Sequence, residues 1–238
     1  MSWKPFSWVW INLKEANLEE QVVAVPTLDA VLVIVVTFFL VFILGFLFYL
    51  VLDTGLALVL SELLILIVPL GYLLVKRVNI KRYVGLDVNP KLVMLGLASG
   101  ALLLSMNIIV SVLLQGVFGA SEAVEESNAL IVELSASAEG LITVIAALGL
   151  AGVCEEFAFR GFLQSTLTRR YSFIPAVIVT ALFFGVFHFD MQLVYILSAL
   201  AAGLMLGYIY YRWKSYIVAA IAHSSMNLVV LAILLLTA

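Results

Sequence analysis

Long uninterrupted apolar runs dominate this sequence and limit what the chain can fold into. Seven segments carry few charges over roughly 20 residues, the length at which a helix crosses the hydrocarbon core of a bilayer. Of the 238 residues, 65% are hydrophobic and 11% are charged, whereas a soluble domain is about half apolar and a quarter charged. We therefore predict an all-α integral membrane protein, a bundle of about seven transmembrane helices with no soluble domain beyond its loops.

Short polar loops separate the predicted membrane helices. In chain order the helices cover about 30–51, 56–75, 92–118, 141–170, 172–190, 191–211 and 216–237. We divide the chain into an N-terminal interfacial segment at 1–29, N-terminal transmembrane helices at 30–139 and a catalytic core at 140–238, formed by the last four helices. The N-terminal segment holds Trp3, Trp8 and Trp10, which suit a position at headgroup depth.

Lysine and arginine alternate along the loops. The connections after the second, fourth and sixth predicted helices carry these residues, counting Arg169 and Arg170 at the end of the fourth, and the loops after the first, third and fifth contain none. The positive-inside rule then places the N-terminus in the cytoplasm and the C-terminus outside, in a multi-pass protein of the cell membrane. The net charge of −3 gives no reason to expect nucleic acid. We expect membrane lipid and a membrane-bound substrate as partners.

Several charged and polar side chains lie inside these apolar helices. Glu155, Glu156 and Arg160 all fall within the fourth predicted helix. A charge at membrane depth costs roughly 2.5–3.5 kcal/mol on translocon scales, so three of them within six residues indicate a functional site. Glu156 and Arg160 are four residues apart and can pair on one helix face, which leaves Glu155 free for chemistry. The only two histidines, His188 and His223, also lie in apolar runs.

These groups fall at similar depths in the membrane. At 1.5 Å per residue, counted from the cytoplasmic helix ends, they lie roughly 12–24 Å deep, so they can converge if the helices pack together. A glutamate beside a histidine can hold and deprotonate a water molecule. His223 and Asn227, which share a helix face, can donate hydrogen bonds to the oxyanion formed when water attacks a peptide carbonyl.

Two further residues have open or structural interpretations. Cys154 is the only cysteine, and we expect a small buried side chain because two adjacent carboxylates disfavour a reactive thiolate. Glu62 lies within the second predicted helix. We favour a structural role for this residue, and a contact with substrate or protons remains open.

Three motifs taken together resemble those of the CPBP intramembrane proteases. This family includes the type II CAAX prenyl endopeptidases and the bacteriocin-processing and abortive-infection proteins. The resemblance covers roughly residues 140–235 and rests on the order and spacing of Glu155-Glu156-x-x-x-Arg160, Phe184-x-x-x-His188 and His223-x-x-x-Asn227. It implies that Glu155 and His188 bind and activate the water, and that Glu156 and Arg160 support them.

The resemblance also assigns His223 and Asn227 to the oxyanion site. Because family members are described both as metalloproteases and as metal-free glutamate proteases, zinc is one possibility, with Glu155, His188 and His223 as its ligands. Arg160 is a poor neighbour for a divalent cation, and an asparagine suits an oxyanion better than a metal. We therefore favour catalysis that requires no cofactor.

The sequence thus predicts an intramembrane endopeptidase that cleaves a membrane-associated peptide or protein, such as a prenylated CAAX protein. We expect its cavity to open to the cytoplasm. One alternative is a proton-coupled transporter that uses the same buried groups, although no inverted repeat is visible. Another is a non-catalytic scaffold or bacteriocin-immunity membrane protein.

Overall fold

A computed structural model describes residues 25–189 and 193–238 of the chain. The described residues form helices and no strands, which confirms the predicted all-α membrane bundle. Most of the predicted interfacial segment at 1–29 lies outside the described residues. Asp190, the predicted end of the fifth membrane helix, also lies outside them.

Nine helices make up the described residues. They are α1 (Thr27–Val51), α2 (Thr54–Val75), α3 (Ile80–Val84), α4 (Pro90–Phe118), α5 (Glu122–Leu134), α6 (Ala138–Thr168), α7 (Phe173–Phe187), α8 (Val194–Trp213) and α9 (Tyr216–Thr237). Six of them are long and apolar enough to cross a membrane, and α7 is apolar but shorter, with 15 residues. These seven helices correspond to the seven predicted membrane segments.

Polar residues fix where several of these helices begin. The side chains of Asp53, Asn89 and Ser137 accept hydrogen bonds from the backbone amides three residues later, over 2.9–3.0 Å. Such N-cap residues satisfy amides that have no partner within the helix. The helices α2, α4 and α6 can therefore start directly after a turn of only a few residues.

Two segments predicted as loops contain helices. Between α2 and α4, the short helix α3 ends at Gly85, whose φ of 70° is the left-handed conformation that glycine adopts at helix ends. Between α4 and α6, α5 begins at the N-cap Ser121 and carries Glu122 and Glu125 in its first turn, where acidic side chains are favourable. None of the residues of α5 is buried. An exposed helix of this kind has no apolar run, and for this reason the sequence pattern predicts a loop.

Helix α6 lies at the centre of the bundle. Half of its most apolar 18-residue stretch is buried, against 11–17% for α1, α2 and α4. It packs against α2 and α9, and its C-terminal part also contacts α1, α3, α7 and α8. This central position accounts for charged residues within α6 that are screened from lipid on all sides.

Most of the positive charge lies at one end of the bundle, which we call the basic end. There Lys76 Nζ lies 3.8 Å from Asp29 Oδ2, and the Arg169 guanidinium lies 4.5 Å from the centre of the Tyr83 ring. The first contact joins the start of α1 to the residue after α2, and the second joins α3 to the residue after α6. The lysines and arginines at this end are Lys76, Arg77, Lys81, Arg82, Lys91, Arg169, Arg170, Arg212 and Lys214.

Candidate active site

A cavity of about 540 Å³ lies among α2, α4, α5, α6, α7, α8 and α9. It extends from the middle of the bundle to the end opposite the basic end. Four of the six predicted site residues line it, namely Glu155, His188, His223 and Asn227. The other two, Glu156 and Arg160, are completely buried next to it. The structure therefore brings all three sequence motifs to one place.

Glu156 connects the motifs of α6 and α9. Its Oε1 accepts a hydrogen bond from Arg160 Nη1 at 2.7 Å, as the four-residue spacing predicts, and lies 2.9 Å from His223 Nδ1. Arg160 Nη2 donates to the Gly203 carbonyl of α8 at 3.0 Å, and its guanidinium lies 4.4 Å from the centre of the Phe184 ring. Three helices thus meet at one buried ion pair.

The helix α6 changes its winding directly after the two glutamates. The segment Phe157–Gln164 is π-helical, a conformation that is rare and recurs at functional sites. Within it, Arg160 and Gln164 both donate to carbonyl groups of α8, the latter to Gly207 over 2.8 Å. A Cβ atom on Gly207 would lie 2.9 Å from Val177 and 3.1 Å from Gln164 Oε1, so a glycine is needed for this close packing.

Glu155 directs its carboxylate to the cavity. Only 8% of the residue is exposed, and its Oε2 atom has no hydrogen-bond partner. The same oxygen lies 4.0 Å from His223 Nδ1. A buried carboxylate oxygen at a cavity wall is well placed to accept a hydrogen bond from a molecule that enters the cavity.

His188 lies at the C-terminal end of α7. Its Nδ1 atom is 2.9 Å from the carbonyl oxygen of Phe184, the first residue of the same motif. Because a carbonyl can only accept, Nδ1 carries the hydrogen, and a neutral ring then leaves the lone pair on Nε2. The ring packs edge-on against Tyr195, with 5.1 Å between centroids. The motif spacing of four residues therefore fixes the tautomer of His188.

Asn227 is held against α6. Its Nδ2 donates to the Leu148 carbonyl at 3.3 Å, and Ser224 Oγ donates to the Gly149 carbonyl at 2.8 Å. The amide of Asn227 has two hydrogens, so one remains available at the cavity wall. Ser224 and Ser225 both donate to backbone carbonyls, and neither hydroxyl contacts a histidine in these hydrogen bonds.

The zinc ligands that the sequence suggested stay a prediction. Among the described residues, no three histidine, cysteine, aspartate or glutamate side chains come close enough to hold one ion. His223 Nδ1 faces Glu156, and His188 Nδ1 faces a carbonyl. Structural and catalytic zinc sites need three or four converging ligands, and Glu155, His188 and His223 all line one cavity without forming such a set among the described residues.

One wall of the cavity is formed by residues that were not among the predicted site residues. Glu62 of α2 lines the cavity, and its buried Oε2 has no hydrogen-bond partner. Glu125, Ser127 and Asn128 of α5 line the outer part. The sequence indicated only that Glu62 is an acid inside an apolar helix. No rule of residue spacing predicts that α2 lies beside α6. Cys154 is fully buried and does not line the cavity.

The fold and the site define a multi-pass helical membrane protein with carboxylates, an arginine and histidines around an internal cavity. Residues 137–229 match the family model of the type II CAAX prenyl endopeptidase Rce1-like proteins. This match confirms the resemblance to the CPBP family over that segment of the chain. The matched segment contains all six predicted site residues. No curated protein and no solved structure matches the chain.

Proposed function

We propose that this protein is an intramembrane endopeptidase that hydrolyses a peptide bond of a membrane-associated protein or peptide. One observation carries the proposal: Glu155 presents a buried carboxylate oxygen without a hydrogen-bond partner to a cavity that both histidines also line. The match to the Rce1-like family supports protease chemistry at the family level. A prenylated CAAX peptide is therefore the first substrate to test.

Glu155 acts as the general base in this mechanism. A water molecule in the cavity donates one hydrogen bond to Glu155 Oε2 and the other to Nε2 of His188. As the water oxygen attacks the peptide carbonyl carbon, Glu155 takes the proton, and it later gives this proton to the leaving amine. General acid–base catalysis of this kind contributes about 10²–10⁴-fold.

His223 and Asn227 stabilise the oxyanion of the tetrahedral intermediate. Asn227 uses the amide hydrogen that is not bonded to Leu148. A His223 ring with both protons keeps Nδ1–H on Glu156 and offers Nε2–H to the oxyanion. Protonation of His223 also balances the charge of the cluster, because the two negative glutamates then face two cations, Arg160 and the imidazolium. Fixed donors in a site shielded from bulk water are worth about 10²–10³-fold in kcat.

The test uses purified protein in detergent and a farnesylated CAAX peptide, with cleavage followed by mass spectrometry. We expect Glu155→Ala to abolish cleavage while its thermal unfolding stays close to that of the wild type. Glu133→Ala is the matched control, since Glu133 is exposed and outside the cavity. A chelator should leave the rate unchanged, because the proposed mechanism uses no metal ion.

Two results would contradict the proposal. Full activity of Glu155→Ala would remove the general base. A wild-type protein that cleaves neither this peptide nor a panel of signal and leader peptides would exclude the endopeptidase itself. Loss of activity with the chelator and its return with zinc would replace the metal-free mechanism by a metal-dependent one.

A further inference from the structure

The exposed residues among the described cavity lining all lie toward one end of the bundle. Its lining begins at the buried Glu155 and His223 and continues to Gln115, Glu125 and Ser127, which are exposed. These three belong to the C-terminal end of α4 and to α5, far along the chain from the basic loops. A substrate therefore reaches the site past α5.

Positive charge is distributed very unevenly between the two ends. Nine lysines and arginines lie at the basic end, and the described residues at the cavity end carry none. The segment 119–137 at the cavity end instead contains Glu122, Glu125, Glu126 and Glu133. Lysine and arginine in short loops collect on the cytoplasmic side of membrane proteins. This bias therefore favours a cytoplasmic basic end.

These two observations make a pair of sequence-based expectations incompatible. If the basic loops are cytoplasmic, the cavity cannot open to the cytoplasm, because it opens at the other end. We propose that the cavity opens to the non-cytoplasmic face, and that the substrate is a peptide segment exposed on that face of the membrane. That the cavity receives a peptide substrate rests on the proposed endopeptidase function. The sidedness rests only on the positions of charge and cavity.

Cysteine labelling tests the sidedness without any cleavage assay. Ser127 lines the mouth of the cavity and Ser172 lies at the basic end between α6 and α7, and both are exposed. Ser127→Cys and Ser172→Cys change neither charge nor size by much. The wild-type protein is the background control, because its single cysteine, Cys154, is buried. Each full-length variant is expressed in bacterial spheroplasts and treated with a membrane-impermeant maleimide before or after lysis.

We expect Ser127→Cys to be labelled in intact spheroplasts and Ser172→Cys to be labelled at least tenfold more after lysis than before it. The reverse pattern would overturn the proposal. Equal labelling of both variants in intact cells, or no labelling of Ser127→Cys even after lysis, would also overturn it. None of these results depends on activity, so the Glu155→Ala protein should give the same pattern.

A second measurement connects the open end to the substrate. Each cysteine variant is purified, coupled to a bulky maleimide in detergent and assayed with the farnesylated CAAX peptide. We expect the adduct at Ser127→Cys to reduce cleavage at least tenfold and the adduct at Ser172→Cys to leave it unchanged. Loss only with the Ser172→Cys adduct would overturn entry past α5. Absence of cleavage before coupling would count against the proposed function, and the labelling pattern would still decide the sidedness.

Discussion

The Glu156 carboxylate binds Arg160 and His223 through the same oxygen atom, at 2.7 and 2.9 Å. One buried atom therefore sets the position of a histidine on α9 relative to an arginine on α6. Because Arg160 also bonds to α8, a change at any of these residues is felt in three helices. This relationship separates a structural role for Glu156 from the chemical role proposed for Glu155.

Replacing Arg160 by methionine should destabilise the protein strongly. The substitution leaves Glu156 buried without its cation, and breaking a buried ion pair in this way costs about 3–5 kcal/mol. Thermal unfolding in detergent, followed by circular dichroism, measures the effect. Arg170→Met is the control, because Arg170 is exposed and such surface changes stay within about 0.5 kcal/mol. Equal midpoints for the two variants would contradict the structural role of Arg160.

Asn227→Asp should reduce turnover with little change in substrate binding. Aspartate keeps the shape of the side chain and removes both amide hydrogens, so the oxyanion loses one donor and kcat falls about 10²–10³-fold. Asn107→Asp is the matched control in the same cavity, since Asn107 Oδ1 accepts a hydrogen bond from Ser198 that aspartate can keep. A higher KM with an unchanged kcat would contradict a role of Asn227 in the oxyanion site.

Glu62 should influence which peptides are cleaved. Glu62 and Glu155 both present carboxylate oxygens without partners, and none of the described residues that line the cavity is a lysine or arginine. A peptide with lysine near the scissile bond should therefore be cleaved faster than one with glutamate. Glu62→Gln should reduce this preference several-fold, measured as the ratio of the two kcat/KM values. Glu133→Gln should preserve it, and an identical ratio in both variants would exclude Glu62 from recognition.

Gly152 should be required for the contact between α6 and α9. A Cβ atom on Gly152 would lie 2.9 Å from the backbone Cα of Ser224, whereas one on Gly149 would meet nothing within 4 Å. Gly152→Ala should cost about 1–3 kcal/mol by overpacking. Gly149→Ala should gain up to about 1 kcal/mol from helix propensity. Unfolding midpoints of the two variants test this, and a change of the same sign in both would contradict it.

Stability should fall at alkaline pH through Tyr83 in α3. Burial raises the pKa of the Tyr83 phenol above its ordinary value of 10.0, and the hydroxyl pairs with Thr166 over 2.6 Å. The folded state thus keeps this proton at pH values where the unfolded chain loses it, so stability decreases as pH rises above about 10. Tyr83→Phe should show a weaker alkaline decrease in unfolding midpoint than the wild type. Parallel pH curves would exclude this contribution.

The membrane helices could be predicted because the length and apolar character of a segment are almost sufficient to identify such a helix. The segment α5 could not, because its stability depends on a Ser121 cap and on packing over the cavity rather than on an apolar run. The π-helical winding at Phe157–Gln164 also has no simple sequence signal. Within this segment Arg160 and Gln164 donate to carbonyl groups of α8, contacts that no local pattern encodes.

The candidate site likewise combines features that the sequence predicts with features that it does not. The pairing of Glu156 with Arg160 follows from a spacing of four residues on one helix, and the structure contains it. The contact between Glu156 and His223 joins residues 67 positions apart, and depth arithmetic showed only that it was possible. The location of Glu62 depends on the packing of α2 against α6, which no local pattern encodes. The catalytic roles themselves stay predictions.

The shortness of α7 has a consequence for the surrounding lipid. Its 15 residues rise about 22 Å, less than the roughly 30 Å of a hydrocarbon core. A bilayer adapts to such a helix by thinning around it, and α7 ends at His188 beside the cavity. The membrane is then thinnest beside the cavity in which the proposed mechanism places the reacting water. Activity in vesicles should therefore depend on acyl-chain length, with short-chain lipids supporting the faster reaction.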